Sequence, residues 1–224
     1  MNITYMSIGP NCGAAEILKN NGVRTTSLPF DWILSNIPFV HDVIVALYEK
    51  SFAEAFETFY DPLNTDTYST PKKNEAGEHI VGNYETTNTK VEGSKVYNRK
   101  YKVTFAHDVE IEEQTYRTRL ERLKALLLDD NEYIRFFYAN AYPELHQYTI
   151  DGDTFHNDII DQLEKLSRYL KTKRSNFDIL FINFEELTPT DDKIIKMPIF
   201  SYKESWQEIY DYRTKFPDIE FKKL

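Results

Sequence analysis

The chain carries seven glycines and one cysteine in 224 residues. So little glycine disfavours a many-turned sandwich and leaves nothing from which to build a Gly-rich phosphate loop. The first strand–helix turn offers only Gly9, with Gly13 just inside the helix, which matches neither a P-loop nor a dinucleotide fingerprint. A single cysteine excludes an internal disulfide, so nothing here requires an oxidising compartment. No His-x-x-x-His or Cys-x-x-Cys pair exists, and no metal site is expected. A Gly-x-Ser-x-Gly elbow is also missing. Positive charge is in short supply, with 27 Lys and Arg against 36 Asp and Glu and a net charge of −9. That balance argues against broad nucleic-acid binding, which needs a basic face. Apolar runs fall well short of the roughly 20 residues of a membrane span. The opening Met1-Asn2-Ile3-Thr4-Tyr5-Met6 lacks the basic and apolar regions of a signal peptide. The expectation is a soluble cytoplasmic protein with neither nucleic acid nor membrane as partner.

What is abundant is aromatic: 16 Tyr, 15 Phe and 2 Trp make up 15% of the chain. Hydrophobic residues at 41% and charged residues at 28% are otherwise ordinary for a globular protein. The length suits one α/β domain over residues 1–224, able to bury roughly 70% of its unfolded surface.

Periodicity orders the elements. Ile3 to Ile8 form a short apolar run ended by Gly9-Pro10-Asn11. A helical pattern follows from Cys12 through Ala14, Ala15, Ile17 and Leu18, stopped by Asn20-Asn21-Gly22. Val23 to Leu28 reads as a second strand and Ile37 to Phe59 as one helix. Asp61 to Lys100 is polar, poor in large aliphatics, and expected to be an insertion or long hairpin, with Val81 to Tyr84 and Lys95 to Tyr97 as its strands. Tyr101 to Ala106 reads as a strand, Glu112 to Leu128 as an amphipathic helix and Tyr133 to Tyr138 as a strand. Phe155 to Leu170 is a helix, Asp178 to Phe184 a strand, Ile194 to Phe200 a weaker strand, and Trp206 to Phe216 a terminal helix. Strands alternating with helices imply crossover connections, hence a three-layer α/β fold with a mostly parallel central sheet. The nearly continuous apolar runs Phe136-Phe137-Tyr138 and Ile179 to Ile182 suit strands covered on both faces.

Open α/β sheets place their sites beyond the carboxyl ends of the strands. Cys12 follows the first strand and opens the first helix, and His107 closes the strand Tyr101 to Ala106. A helix N-terminus carries partial positive charge that favours thiolate, and a neighbouring imidazolium favours it further. The amides of Gly13 and Ala14 are candidate oxyanion donors. The competing reading makes Cys12 a small buried hydrophobe, and His107 with Asp108 a satisfied pair. Asp31 either orients a histidine or caps the helix that follows. His41 beside Asp42 falls inside a predicted helix and reads as structural. Arg117, Arg119, Arg122 and Lys124 read as a solvated helix face.

Ser7 to Leu18 and Gly22 to Ile33, with Pro29-Phe30-Asp31-Trp32 at their centre, resemble the opening of the papain-like cysteine peptidase family of unknown function. Phe105-Ala106-His107-Asp108 resembles that family's Phe-x-His-Asp element, and Tyr116 to Leu127 followed by Tyr133 to Phe136 its next helix and strand. The resemblance implies a Cys12–His107 pair with Asp31 or Asp108 as third member, and offers Asn11, Trp32 and Arg135 as substrate contacts. Members occur in bacteria and large DNA viruses, often beside glycan-modifying genes, and the Asn, Lys, Ile and Tyr usage here suits an AT-rich genome such as a giant virus. A capsule-biosynthesis acyltransferase family has a Gly-Asn-Cys opening similar to Gly9-Pro10-Asn11-Cys12, an analogy only. The expectation is therefore a cysteine-dependent hydrolase or acyltransferase acting on a peptide, ester or glycan-linked acyl group. It needs no cofactor unless a transferase draws on acyl-coenzyme A. The alternative, motivated by the aromatic excess, is a non-catalytic carbohydrate- or protein-binding module.

Overall fold

The computed structural model describes residues 2–10, 12–60, 68–89, 95–98, 100–101, 103–105, 113–139, 149–150, 153–154, 159–182 and 189–196. In chain order the elements are β1 (Asn2–Ser7), α1 (Cys12–Asn20), α2 (Ile37–Glu49), α3 (Phe52–Phe59), β2 (Tyr68–Lys73), β3 (His79–Thr87), β4 (Lys95–Asn98) and β5 (Val103–Phe105). They continue with α4 (Glu113–Leu128), β6 (Glu132–Ala139), β7 (Thr149–Ile150), β8 (Asp153–Thr154), α5 (Ile159–Lys171), β9 (Phe177–Ile182) and β10 (Ile194–Lys196).

Four strands form a parallel sheet in the order β1-β6-β9-β10. Alternation along these strands sorts the core into two faces. Met6, Ile134, Phe136, Tyr138, Phe177, Ile179 and Phe181 pack with the apolar stripes of α2, α4 and α5, among them Val43, Leu47, Leu120, Leu123, Leu163 and Leu166. Tyr5, Phe137, Ala139, Leu180 and Ile182 pack with Ala14, Ile17 and Leu18 of α1 on the other face. The result is the expected three-layer α/β architecture. It explains why β9 is buried along its whole length and shows no polar alternation.

The polar tract does more than the hairpin expected of it. β2 and β3 do form an antiparallel hairpin, turned at Asn74 to Gly77, where the Asn74 side chain accepts the amides of Ala76 and Glu78. β4, however, pairs with β2 and not with the Val81–Tyr84 strand. Together with β5, β7 and β8 these strands make a second, six-stranded sheet in the order β5-β4-β2-β3-β7-β8.

Three local expectations are corrected. Val23 to Leu28 forms no strand, because the amides of Val23 and Arg24 turn back onto the Leu18 carbonyl at the end of α1. Ile37 to Phe59 is two helices, since Ser51 caps α3 in a reciprocal capping box with Glu54. Tyr101 lies in a turn, and the described part of the strand after it, Val103–Phe105, belongs to the second sheet, antiparallel to β4. The expected helix at Trp206 to Phe216 lies outside the described residues, as do the starts or ends expected at Phe155, Phe184 and Phe200.

Candidate active site

Cys12 stands where the fold changes from strand to helix. Past the end of β1, the Ile8 amide still donates to Phe137 of β6 at 2.9 Å, and the Gly9 carbonyl accepts from Ala139 at 3.2 Å. Gly9 has φ +109°, a region that favours glycine, and the chain turns there into α1. Cys12 is the first residue of that helix and is half-buried, while Gly13 and Ala14 behind it are buried. The thiol thus lies beyond the carboxyl end of a parallel strand, at the positive end of a nine-residue helix.

The turn is tied to the second sheet through Leu34 and Ser35. Ser35 donates its amide to the Pro10 carbonyl at 2.9 Å. Its neighbour Leu34 exchanges two backbone hydrogen bonds with Thr104 of β5, at 2.7 and 3.1 Å, as an isolated antiparallel bridge. Thr104 precedes His107 by three residues and Pro10 precedes Cys12 by two, so one dipeptide joins the two stretches of chain that lead to these candidates. His107 and Asp108 themselves, and Asn11, lie outside the described residues.

Asp31 is 2% exposed. Its carboxylate accepts from the Leu28 amide at 2.8 Å and from Arg24 at 2.9 and 2.8 Å, and Arg24 also donates to Ser27. Burial holds the Asp31 pKa above the ordinary carboxyl range, against the opposing pull of the Leu28 amide, Arg24 and Arg119. The cap of α2 is Asn36, whose side chain accepts from the Phe39 amide, so the helix-capping option for Asp31 is excluded. Beside it, half-buried Trp32 carries the Arg24 guanidinium 5.2 Å from its ring centroid.

Arg135 is 5% exposed in β6, level with Tyr5 of β1 rather than with the strand ends. It donates to Asp178 at 2.6 to 3.1 Å and to the Tyr5 hydroxyl at 3.3 Å. His41 bonds Asp42 at 3.0 Å and packs edge-on against Tyr169, a structural position on α2. Of the basic residues on α4, Arg119 is buried and coupled to Asp31, which a solvated face would not contain.

One residue near the thiol carried no sequence signal. Tyr84, half-buried in β3, has its phenol pKa raised first by burial and then by the charge of Cys12, so the two side chains lie within electrostatic reach of each other. Nothing in the spacing of Tyr84 from Cys12 foretells that approach. Among the described residues, no three His, Cys, Asp or Glu side chains are grouped to hold a metal ion, and no helix is long and apolar enough to cross a membrane.

No curated protein and no solved structure matches the chain significantly. A family profile matches residues 3–187, which takes in the Cys12 turn, the described strands through β9 and the five described helices. The chain belongs to the family described as "Putative papain-like cysteine peptidase (DUF1796)".

Proposed function

We propose that the protein is a cysteine-dependent hydrolase of acyl substrates, peptides first, with Cys12 as nucleophile and His107 as general base and then general acid. The observation that carries this reading is the position of Cys12 at the head of α1, half-buried beyond the end of β1. The Leu34–Ser35 link adds to it, because the turn before Cys12 and the strand before His107 are bonded to adjacent residues.

His107 takes the thiol proton and the sulfur attacks the scissile carbonyl carbon. The first-turn amides of α1, including Gly13 and Ala14, together with the helix dipole, stabilise the resulting oxyanion. Collapse of that intermediate returns the proton from His107 to the leaving amine, and water then releases the acyl group from sulfur. Asp31 is occupied by Arg24 and the Leu28 amide, so Asp108 is the better candidate to orient the imidazole. Asp31 instead braces the Arg24–Trp32 wall.

The test is the alkylation rate of Cys12 against pH, in the native protein and in His107→Ala. Cys12 is the only thiol, so every adduct counted by mass belongs to it. A fast reaction near pH 6 that reverts in the variant to a midpoint near the free-thiol value of about 8.5 is expected. A native thiol that already titrates at about 8.5 overturns the mechanism.

A further inference from the structure

We propose that Ser35 and Gly9 form a positioning pair that sets where the Cys12 turn stands relative to β5, a proposal that rests on reading Cys12 as the nucleophile. Cys12 follows β1 of one sheet and β5, the described strand before His107 in the sequence, belongs to the other, so the distance from the Cys12 turn to β5 depends on whatever spans the gap. Leu34 and Ser35 span it. Ser35 holds Pro10 through its amide, and Leu34 holds Thr104 through both of its backbone groups. Each end is braced in turn. Gly9 is bonded to Ala139 of β6 through its carbonyl, and the Thr104 hydroxyl lies 3.2 Å from Ser69 Oγ of β2. A shift of the dipeptide therefore moves the thiol turn against one sheet or β5 against the other.

The fit at Gly9 shows how tightly the span is set. A Cβ on Gly9 would lie 2.6 Å from Ser35 Oγ, closer than real Cβ contacts come, and φ +109° already excludes an unstrained side chain there. Ser35 is fully buried, and its Oγ has no hydrogen-bond partner among the described residues. Its hydroxyl therefore acts here through its volume. A larger group at either position has to push the turn away from the dipeptide, since the Ala139 and Thr104 bonds resist movement on the far sides.

The experiment measures iodoacetamide alkylation of Cys12 against pH, together with Tm, in wild type, Gly9→Ala, Ser35→Thr and Gly9→Ala/Ser35→Gly. A displaced turn takes the thiol out of register with its proton acceptor. Gly9→Ala is then expected to raise the alkylation midpoint by about one unit and slow the reaction near pH 6 about tenfold. Ser35→Thr is expected to move it the same way by less, and so keeps the test alive if Gly9→Ala does not fold. In the double variant the contact is relieved while the strain at φ remains, so the midpoint should return towards wild type although Tm stays low. Variants that lose Tm yet keep the wild-type midpoint overturn the positioning role and leave Cys12 as nucleophile intact. A wild-type midpoint of about 8.5 overturns both readings at once.

Discussion

Arg135 and Asp178 are register partners on adjacent strands, and the guanidinium meets the carboxylate at 2.6 Å with both side chains almost wholly buried. Burial works against the arginine charge, but Asp178 and the Tyr5 hydroxyl outweigh it and raise the Arg135 pKa. Tyr133 donates a further hydrogen bond to the carboxylate at 3.2 Å. Removing one partner strands a charge inside the sheet, so Asp178→Ala should cost about 3–5 kcal/mol. Arg135→Met/Asp178→Leu should recover most of that loss, because a buried ion pair contributes little over a well-packed apolar pair. Urea denaturation of the three proteins decides the point. A single variant within about 1 kcal/mol of wild type would show that water reaches the pair.

Asp31 gives stability an uncommon dependence on pH. Its pKa is raised in the folded protein above the ordinary 3.8, chiefly by burial. The folded state therefore binds this proton more tightly than the unfolded chain, and the associated stability is greatest below the unfolded pKa. It is lost as pH rises through the ordinary carboxyl range and then through the raised folded value. Asp31→Asn cannot titrate, so the Tm advantage of wild type over the variant should shrink between about pH 4 and neutrality. An advantage that grows over the same interval would mean that Arg24, not burial, governs the carboxylate.

Helix α3 exists as a separate element because Ser51 and Glu54 satisfy each other's backbone amides, Ser51 Oγ accepting at 3.3 Å and Glu54 Oε2 at 3.0 Å. The Ser51 hydroxyl also donates to Glu54, and this bond and the Ser51 amide hold the Glu54 pKa below its ordinary value, so the carboxylate side of the box persists as pH falls into the carboxyl range. Ser51→Ala should lower stability by about 1 kcal/mol near neutral pH. The loss is read as a fall in Tm. An unchanged Tm would mean that packing of Phe56 and Phe59 alone holds the second helix.

The elements legible from sequence are those whose signal is local. The apolar run of β1, the Asn21–Gly22 stop of α1 and the 3.6-residue stripe of α4 each follow from side chains a few residues apart. The sheet of β5 is not legible from sequence, because three alternating residues look alike in a parallel and an antiparallel sheet. What assigns them is the antiparallel pairing of β5 with β4. The same distinction runs through the candidate site. Cys12 was visible because Gly9-Pro10 and a helical pattern bracket it. Ser35 and Tyr84 were not, because their nearness to the Cys12 turn arises across sheets. Arg135 reads from sequence as a candidate substrate contact, and only the strand register shows Asp178 opposite it.

Tyr84 offers a check on that cross-sheet approach which is independent of catalysis. Burial raises its phenol pKa above 10.0, and the charge on Cys12 raises it further. At alkaline pH the thiolate is present while the phenol loses its proton, so a second negative charge must form beside the first. Cys12→Ser removes the thiolate and leaves the burial, and Tyr84 should then titrate lower than in wild type though still above a free tyrosine. The measurement is a tyrosinate difference titration of Cys12→Ser against wild type, repeated in a Tyr84→Phe background. A difference signal carried by Tyr84 should vanish in that background. Coincident curves for Cys12→Ser and wild type would put the Tyr84 phenol out of electrostatic reach of the thiol.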